Sequence, residues 1–517
     1  MVRRLLALAS LLGLGLVLGL PAPLSAAGAG GTRAEQRTAR HLDSVRGQPP
    51  LLLAFLRSMP KGGDLHSHLS GAVYAESMIG WAAADGLCVE RATGRLLPGP
   101  CDPCDKEAKS PAVACALGDA ALYGAVVDSW SMRNFRPERE SGHDRFFATF
   151  GRFDAALERR AGDAFAEAAA RAAADRLQYL ELMRTADGRQ AAELGRKTGW
   201  DDDLGRMRER LLAGGLPQIV AATRTRLDGD EARMRELLAC GTPRAAAGCA
   251  VAVRQIYQVL RGLPRESVFA QLLLGFELAR ADARFVGLNL VMPEDGPTAM
   301  RDFALHMEMI HFLRPLYAEA HVTLHAGELA PGLVPPEGLR SHIRGSVERG
   351  HAERIGHGVD VMNEEDPFGL LRLMAERRVL VEICLTSNDV ILGVRGEDHP
   401  LPVYMRHGVP VTIATDDQGV SRSDMTQEYL RAVRTYGLSW PDLKGMARRS
   451  LEHAFLPGPS LWRDARKFVP VAACAGERPG AAAASATPGC ALFLRGSERA
   501  RQQWELERRL AELERLY

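Results

Sequence analysis

The residues best suited to chemistry in this 517-residue chain stand in four short clusters: His66-Ser67-His68, His325-Ala326-Gly327-Glu328, Gly356-His357-Gly358 and Asp416-Asp417. Each follows an apolar stretch that reads as a β-strand. Residues i and i+2 of a strand share a face, so His66 and His68 can turn both imidazoles to one metal ion. His325 follows Val322-Thr-Leu and Asp416 follows Val411-Thr-Ile-Ala-Thr, where side chains emerge from core strands. Three histidines and one aspartate make a donor set suited to a divalent, zinc-like ion. Such an ion brings the pKa of a bound water towards neutrality. Glu328, three residues beyond a ligand, is placed to feed a proton to a substrate. His357, flanked by glycines that let a substrate approach, and Asp417, beside a ligand, are placed to hold the attacking water. Read singly, His-x-His is as well explained by two surface histidines, Glu328 by a helix start and Asp417 by a cap. Their joint occurrence at strand ends favours one site.

Stepping outward from these clusters, strand-like segments occur from Gly63 and at 177–183, 251–260, 285–291, 322–325, 353–357, 379–385 and 411–415. Helical patterns lie between them, for example at 300–317 and 368–377. Strands alternating with helices imply a parallel sheet of the α/β class, open or closed into a barrel. In a closed barrel all strand C-termini open onto one face, which gathers the four clusters. The lead-in 30–58 and the Ala-rich 145–176 read as helical, the latter as one long helix or a pair. Residues 82–145 lack periodicity and read as an insertion; 186–250 read as a second, charged and helical. A C-terminal extension follows from about 455, with an Ala/Gly/Ser/Pro loop at 471–490. Its tail helix, 501–516, carries Trp504, Leu506, Leu510, Leu513 and Leu516 towards the body.

Length alone would allow about three domains at ~150 residues each. The clusters, however, spread from about residue 59 to 430, so residues 28–517 read as one enlarged barrel. Lys+Arg is 65 against Asp+Glu 64, a balance that offers no footprint for nucleic acid. Arg3 and Arg4, the apolar run Leu5–Leu20, Pro21, Pro23 and Ser25-Ala26-Ala27 describe a signal peptide over 1–27, cut near Ala27. No other stretch reaches a membrane-spanning length. Export to the periplasm or beyond agrees with the cysteines. Eight of nine fall in local groups (Cys88, Cys101, Cys104 and Cys115; Cys240 and Cys249; Cys474 and Cys490), a pattern expected of disulfides. Cys101-Asp-Pro-Cys104 could instead serve a zinc knuckle or redox pair. Cys384, within an apolar strand, reads as a buried free thiol.

In order and wording the clusters resemble the adenosine deaminase family. The matching blocks are Met59-Pro-Lys-Gly-Gly-Asp-Leu-His-Ser-His-Leu-Ser-Gly-Ala, Leu324-His-Ala-Gly-Glu, Arg354-Ile-Gly-His-Gly, Thr386-Ser-Asn and Ala414-Thr-Asp-Asp, reaching to Glu428-Tyr429. The resemblance implies a (β/α)8 TIM barrel, one Zn2+ per chain, and hydrolytic loss of ammonia from C6 of a purine nucleoside. It implies His66, His68, His325 and Asp416 as zinc ligands, Glu328 as proton donor to purine N1, and His357 and Asp417 as the residues orienting the hydroxide. Two-metal relatives use a lysine from the fourth strand; Phe285–Val291 has none, which favours a single ion.

Departures fall in substrate recognition. Where many members place an aspartate that contacts the ribose, this chain has Ser70. Where an Asp-Leu-x-Gly pattern ends the fourth strand, with the glycine against the purine, this chain has Asn289-Leu-Val-Met292. Ser70, Asn289 and Met292 are therefore the candidate substrate-binding positions. The expected activity is zinc-dependent deamination of adenosine or 2′-deoxyadenosine. The alternatives are deamination of an N6-substituted or 5′-modified 6-aminopurine compound, or a non-catalytic extracellular nucleoside-binding protein.

Overall fold

A computed structural model describes residues 31–477 and 486–517. The expected leader 1–27, with its cut near Ala27, lies outside the described residues, as does the middle of the loop expected at 471–490.

Eight parallel strands form the centre: β1 Gly62–His68, β2 Leu177–Arg184, β3 Ala252–Leu260, β4 Phe285–Val291, β5 His321–Ala326, β6 Arg354–His357, β7 Leu380–Ile383 and β8 Val411–Ile413. Each pairs with the next in sequence order, as repeated strand–helix–strand crossovers require. The sheet closes where Ser67 bridges Asp416. There His68 N–H donates to Asp416 O at 3.1 Å and Asp416 N–H donates to His66 O at 2.8 Å. The closing hydrogen bonds are thus made by residues of the candidate site itself. Strand–helix alternation alone left open sheet and barrel undecided and the family resemblance implied the barrel; backbone pairing between the first strand and the end of the last bears the barrel out.

The strands read as apolar runs because they are covered on both faces, inward by barrel side chains and outward by helices. The helix Arg265–Ala281 shows the outer layer: every residue from Ser267 to Ala279 is buried. It lies against β3 and β4 on one side and the helix Gly188–Thr198 on the other. The segment between β2 and β3 therefore adds a third layer over the barrel, built from helices Gly188–Thr198, Leu204–Ala213 and Leu216–Leu237.

The segment between β1 and β2 crosses the barrel mouth. Met132 N–H donates to Val420 O at 2.8 Å, beyond β8. Gly142 presses on the backbone beyond β7, where an added Cβ would stand 1.8 Å from Val390 O. His143 Nε2 meets Asp295 Oδ1, beyond β4, at 3.0 Å. The expected irregularity of 82–145 needs correction, since the helices Ala75–Ala84 and Gly142–Phe153 overlap its ends and Ala120–Ser129 lies within it. That inner helix starts on the Asp119 side chain, which accepts from Ala121 and Leu122 N–H. It buries only Leu122, Val126 and Val127, too few positions to give a clear period. The 145–176 stretch is a pair of helices, Gly142–Phe153 and Ala161–Ala174.

Four disulfides join Cys88–Cys101, Cys104–Cys115, Cys240–Cys249 and Cys474–Cys490. Cys101 and Cys104 bond to different partners, which removes the zinc-knuckle and redox-pair readings. Cys384 is free and buried. The tail helix Glu498–Leu516 packs along β1, β2 and the helix Trp440–Glu452 through Leu506, Leu510 and Leu513, whereas Trp504 joins a separate apolar cluster with Leu461, Trp462, Cys474, Cys490 and Leu494. Leu516, expected to join them, is 75% exposed because it sits at the helix's last turn, past the surface it covers.

Candidate active site

The barrel brings His66, His68, His325 and Asp416 together: one ligand atom from each lies within 4.8 Å of all the others, and all four residues are buried. His66 and His68 come from alternate positions of β1, His325 from β5, and Asp416 from a residue with φ +58° just past β8. What lies behind the rings shows what they are for. His66 Nδ1 meets Glu382 Oε2 at 2.7 Å, His68 Nδ1 meets Gln258 Oε1 at 2.9 Å, and His325 Nδ1 meets Asn289 Oδ1 at 3.0 Å. Each acceptor is an oxygen, so each Nδ1 carries the proton and each Nε2 turns a lone pair inward. His68 Nε2 and His325 Nε2 then face each other at 3.2 Å, and both His66 and His68 Nε2 lie 3.2–3.4 Å from Asp416 Oδ1. His66 Nε2 and Asp416 Oδ1 have no hydrogen-bond partner. Lone pairs and a carboxylate at such distances repel unless a cation stands among them. The donor set fits a zinc-like ion.

The electrostatics express the same demand. Burial works against a charged His66 ring, yet Asp416 and Glu382 outweigh it and push the ring up to about 10, so that without a metal a second proton, on Nε2, supplies the positive charge that a cation would otherwise bring to that lone pair. Against a burial that would raise it, Asp416 is held well below the usual carboxylate range by His66 and His68. His325 is lowered well below its ordinary value by burial and by the neighbouring His66 and His357 rings.

Around this cluster stand the candidate catalytic groups. Burial, followed by the charge of Asp416, pushes Glu328 up to about 8, so its carboxyl holds a proton at neutral pH. Its Oε1 lies 3.7 Å from His357 Nε2. Its backbone is pinned by Glu294, whose two oxygens accept from Gly327 N–H and Glu328 N–H at 3.2 and 2.8 Å. Gly327 must be glycine, since φ is +72° and a Cβ would reach 2.5 Å from Asp360 Oδ1. Asp417 is buried with Oδ1 unpartnered; in the metal-free cluster burial, joined by the adjacent charge of Asp416, raises its carboxyl well above the usual range, so that once a cation offsets Asp416 and Asp417 ionises it is a strong proton acceptor.

Some expectations change. The glycine before His357 makes room for the His66 ring rather than for substrate: a Cβ on Gly356 would stand 2.5 Å from His66 Cε1. Asn289, expected to touch substrate, is wholly buried behind His325, and its Oδ1 serves that residue's backbone N–H and ring. Met292 is 40% exposed, and its Cε lies 2.8 Å from the Cβ position of Gly262, so its side chain leans across towards β3. It also has φ +83°, a backbone conformation natural to glycine. Ser70 is half-buried on the single turn Leu69–Ala72 that follows β1.

Sequence reasoning missed several residues that complete the site. Arg261, at the end of β3, donates from Nη1 to His325 O at 3.1 Å and from Nε to Met292 O at 3.0 Å. Its buried Nη2 has no partner, and Glu294 and Glu328 lie within its field. Cys384 also borders the cluster: its Sγ joins ligand atoms of His66, His357 and Asp416 in a second grouping within 4.8 Å. Its thiol is pushed well up by burial, so it remains protonated. Gln258, Glu294, Glu382, Asn388 and His399 were missed too. Asn388 stood in the Thr386-Ser-Asn block without a role, and no motif marks the others, whose partners lie elsewhere in the sequence.

Residues 217–462 match the family described as adenosine deaminase. An adenosine deaminase of Escherichia coli (strain SMS-3-5 / SECEC) is 40% identical over 147 residues, covering 28% of this chain and 41% of that one. An adenosine deaminase of Mycobacteroides abscessus is 31% identical over 222 residues, covering 41% and 56%. The chain thus spans about half the length of the curated relatives it matches. Among solved structures, an amidohydrolase from Burkholderia ambifaria with bound Zn superposes with a TM-score of 0.50 at 18% identity, covering 84% of this chain and 92% of that one. That likeness bears on the barrel fold alone.

Proposed function

We propose that this chain is a member of the adenosine deaminase family and that its site removes ammonia hydrolytically from C6 of a 6-aminopurine nucleoside, turning adenosine or 2′-deoxyadenosine into the inosine counterpart. One observation carries this reading: a buried carboxyl, Glu328, stands 3.7 Å from His357 Nε2 at the rim of a three-histidine, one-aspartate cluster.

His66, His68, His325 and Asp416 would hold one Zn2+, with Glu382, Gln258 and Asn289 fixing the three rings. The ion, when bound, supplies Lewis acidity that makes water nucleophilic at neutral pH. Glu328 donates its proton to purine N1, which leaves C6 electron-poor. Asp417 and His357 hold the water, and Asp417 takes the proton that the water gives up. As the C6–N bond breaks, that proton leaves with the amino group as ammonia, the proton still on the C6 oxygen passes to the ionised Glu328, and a carbonyl oxygen remains at C6. Exclusion of bulk water by the segment crossing the mouth strengthens each of these interactions.

A second reading, deamination of an N6-substituted or 5′-modified purine, draws on Ser70 and on the exposed, glycine-like backbone of Met292. Absorbance at ~265 nm on adenosine, with and without chelator, tests the first reading. Loss of absorbance that stops with chelator supports it. Ammonia release from modified purines but not adenosine transfers the function to the second, and no release from any purine overturns both. We further propose export to the periplasm or beyond, with residues 28–517 as a single enlarged barrel. Four disulfides support an oxidising compartment, and no helix among the described residues is long and apolar enough to cross a membrane.

A further inference from the structure

His357 sits at the end of β6 with φ +68°, and its Nε2 has no partner while lying 3.7 Å from Glu328 Oε1 and 3.9 Å from Asp416 Oδ2. Whether that nitrogen bears a proton decides what the residue can do. A protonated Nε2 can only donate; a bare one can only accept.

The answer lies two residues away, along a buried chain of hydrogen bonds. It begins at a donor whose identity admits no choice, the backbone N–H of Leu401, which points at His399 Nδ1 at 3.1 Å. Nδ1 of His399 is therefore the acceptor, and the neutral ring carries its proton on Nε2. That Nε2–H stands 3.0 Å from Asn388, so the amide atom facing it is Oδ1. The other amide atom, Nδ2, then faces His357 Nδ1 at 3.0 Å and donates to it. His357 Nδ1 is an acceptor, and its proton stands on Nε2, aimed into the site. Burial holds His399 down to about 4, with Arg431 adding to the effect, so its ring stays neutral over the working range of pH. His399 is 2% exposed and Asn388 is wholly buried, so bulk water does not compete for these bonds.

We propose that His399 is a positioning residue which, through Asn388, fixes His357 as a hydrogen-bond donor at Nε2. Two roles that were left joined now separate. His357 holds the nucleophilic oxygen by donating to its lone pair, and the proton that this oxygen loses goes to Asp417, whose buried Oδ1 is unpartnered. The assignment of roles rests on the deaminase reading; the tautomer itself does not.

Neutron diffraction on the deuterated, zinc-loaded full chain reads the tautomer directly. The expected map has deuterium on Nε2 of both His357 and His399 and none on either Nδ1. In Asn388→Asp, an acceptor replaces the Nδ2 donor, and deuterium should move to His357 Nδ1. Kinetics supply a second readout. His399→Phe should lower kcat about 10–100-fold with KM within about threefold, as for other partners that orient an active ring, and His399→Gln, which keeps a donor, should restore most of it. Deuterium on His357 Nδ1 in the wild type overturns the proposal, as does unchanged kcat in a folded, metal-replete His399→Phe. If that variant does not fold, the same decision passes to Asn388→Asp, which preserves shape. An inactive wild type with deuterium on Nε2 sinks the deaminase reading and leaves the tautomer standing; an active one with deuterium on Nδ1 does the reverse.

Discussion

Two layers of buried charge lie one above the other inside this barrel. The deeper one is complete. Arg354, with 0% exposure, donates from Nη2 to Glu181 and from Nε to Glu382, both at 2.5 Å, and from Nη1 to His453 O at 2.9 Å. Glu181 also accepts from Tyr179 Oη–H and Phe455 N–H, and Glu382 from Thr323 Oγ1–H and the His66 ring. The upper layer, at the strand C-termini, is incomplete. His66 Nε2, His357 Nε2, Asp416 Oδ1 and Asp417 Oδ1 are all buried without partners. Burial is equal in the two layers; what differs is satisfaction. Charge that is fully paired holds a structure, and charge held open in the same low dielectric is available to a ligand.

The largest expected effect comes from removing what the upper layer awaits. Chelation should abolish turnover and lower Tm, and Zn2+ should restore both. At about 1,000 times Kd a bound ion stabilises the fold by about 4 kcal/mol. A melting curve indifferent to Zn2+ would break the contrast. Next, Glu328→Gln should lower kcat by about 10²–10⁴-fold, the usual worth of a positioned acid, while Tm stays put or rises. A large fall in Tm would move Glu328 into the structural layer.

Arg354→Met strikes the deeper layer and should behave oppositely. Leaving Glu181 and Glu382 uncompensated costs about 3–5 kcal/mol of stability, measurable by denaturant unfolding. Activity falls along with it, because Glu382 also holds His66. The smallest effect is a pH dependence. On the proposed function Glu328, raised from 4.5 to about 8 in the metal-free cluster, must be protonated to act, so kcat should fall with rising pH, starting at or below pH ~8 because a bound cation offsets the charge of Asp416. In the metal-free chain the folded state holds this proton between 4.5 and about 8 while the unfolded chain has released it. Stability should therefore drop as pH rises through that window, and the drop should be smaller in Glu328→Gln.

The two layers were also unequally legible in sequence. The upper layer announced itself because its residues come in short, chemically unusual clusters at the ends of apolar runs. All seven expected ligand and catalytic residues meet at one site, and all eight strands fall where alternation put them. The deeper layer did not, since its members are joined across the sheet. Glu382 reaches His66 from 316 positions away, and Arg354 reaches Glu181 from 173. The same holds for His399, whose His-Pro context carries no sign that it faces Asn388.

Sequence by itself determined which polar residues gather at the strand ends, the strand period that aims them, and which cysteine stays free. Only the tertiary structure decided that the sheet closes through Asp416 itself, which cysteines pair, that Gly356 yields space to His66, and that Asn289 stands behind His325. The physical reason is common to all four. Residue type and local period are properties of a few neighbouring residues, whereas hydrogen-bond satisfaction and close approach depend on what the fold carries in from elsewhere in the chain.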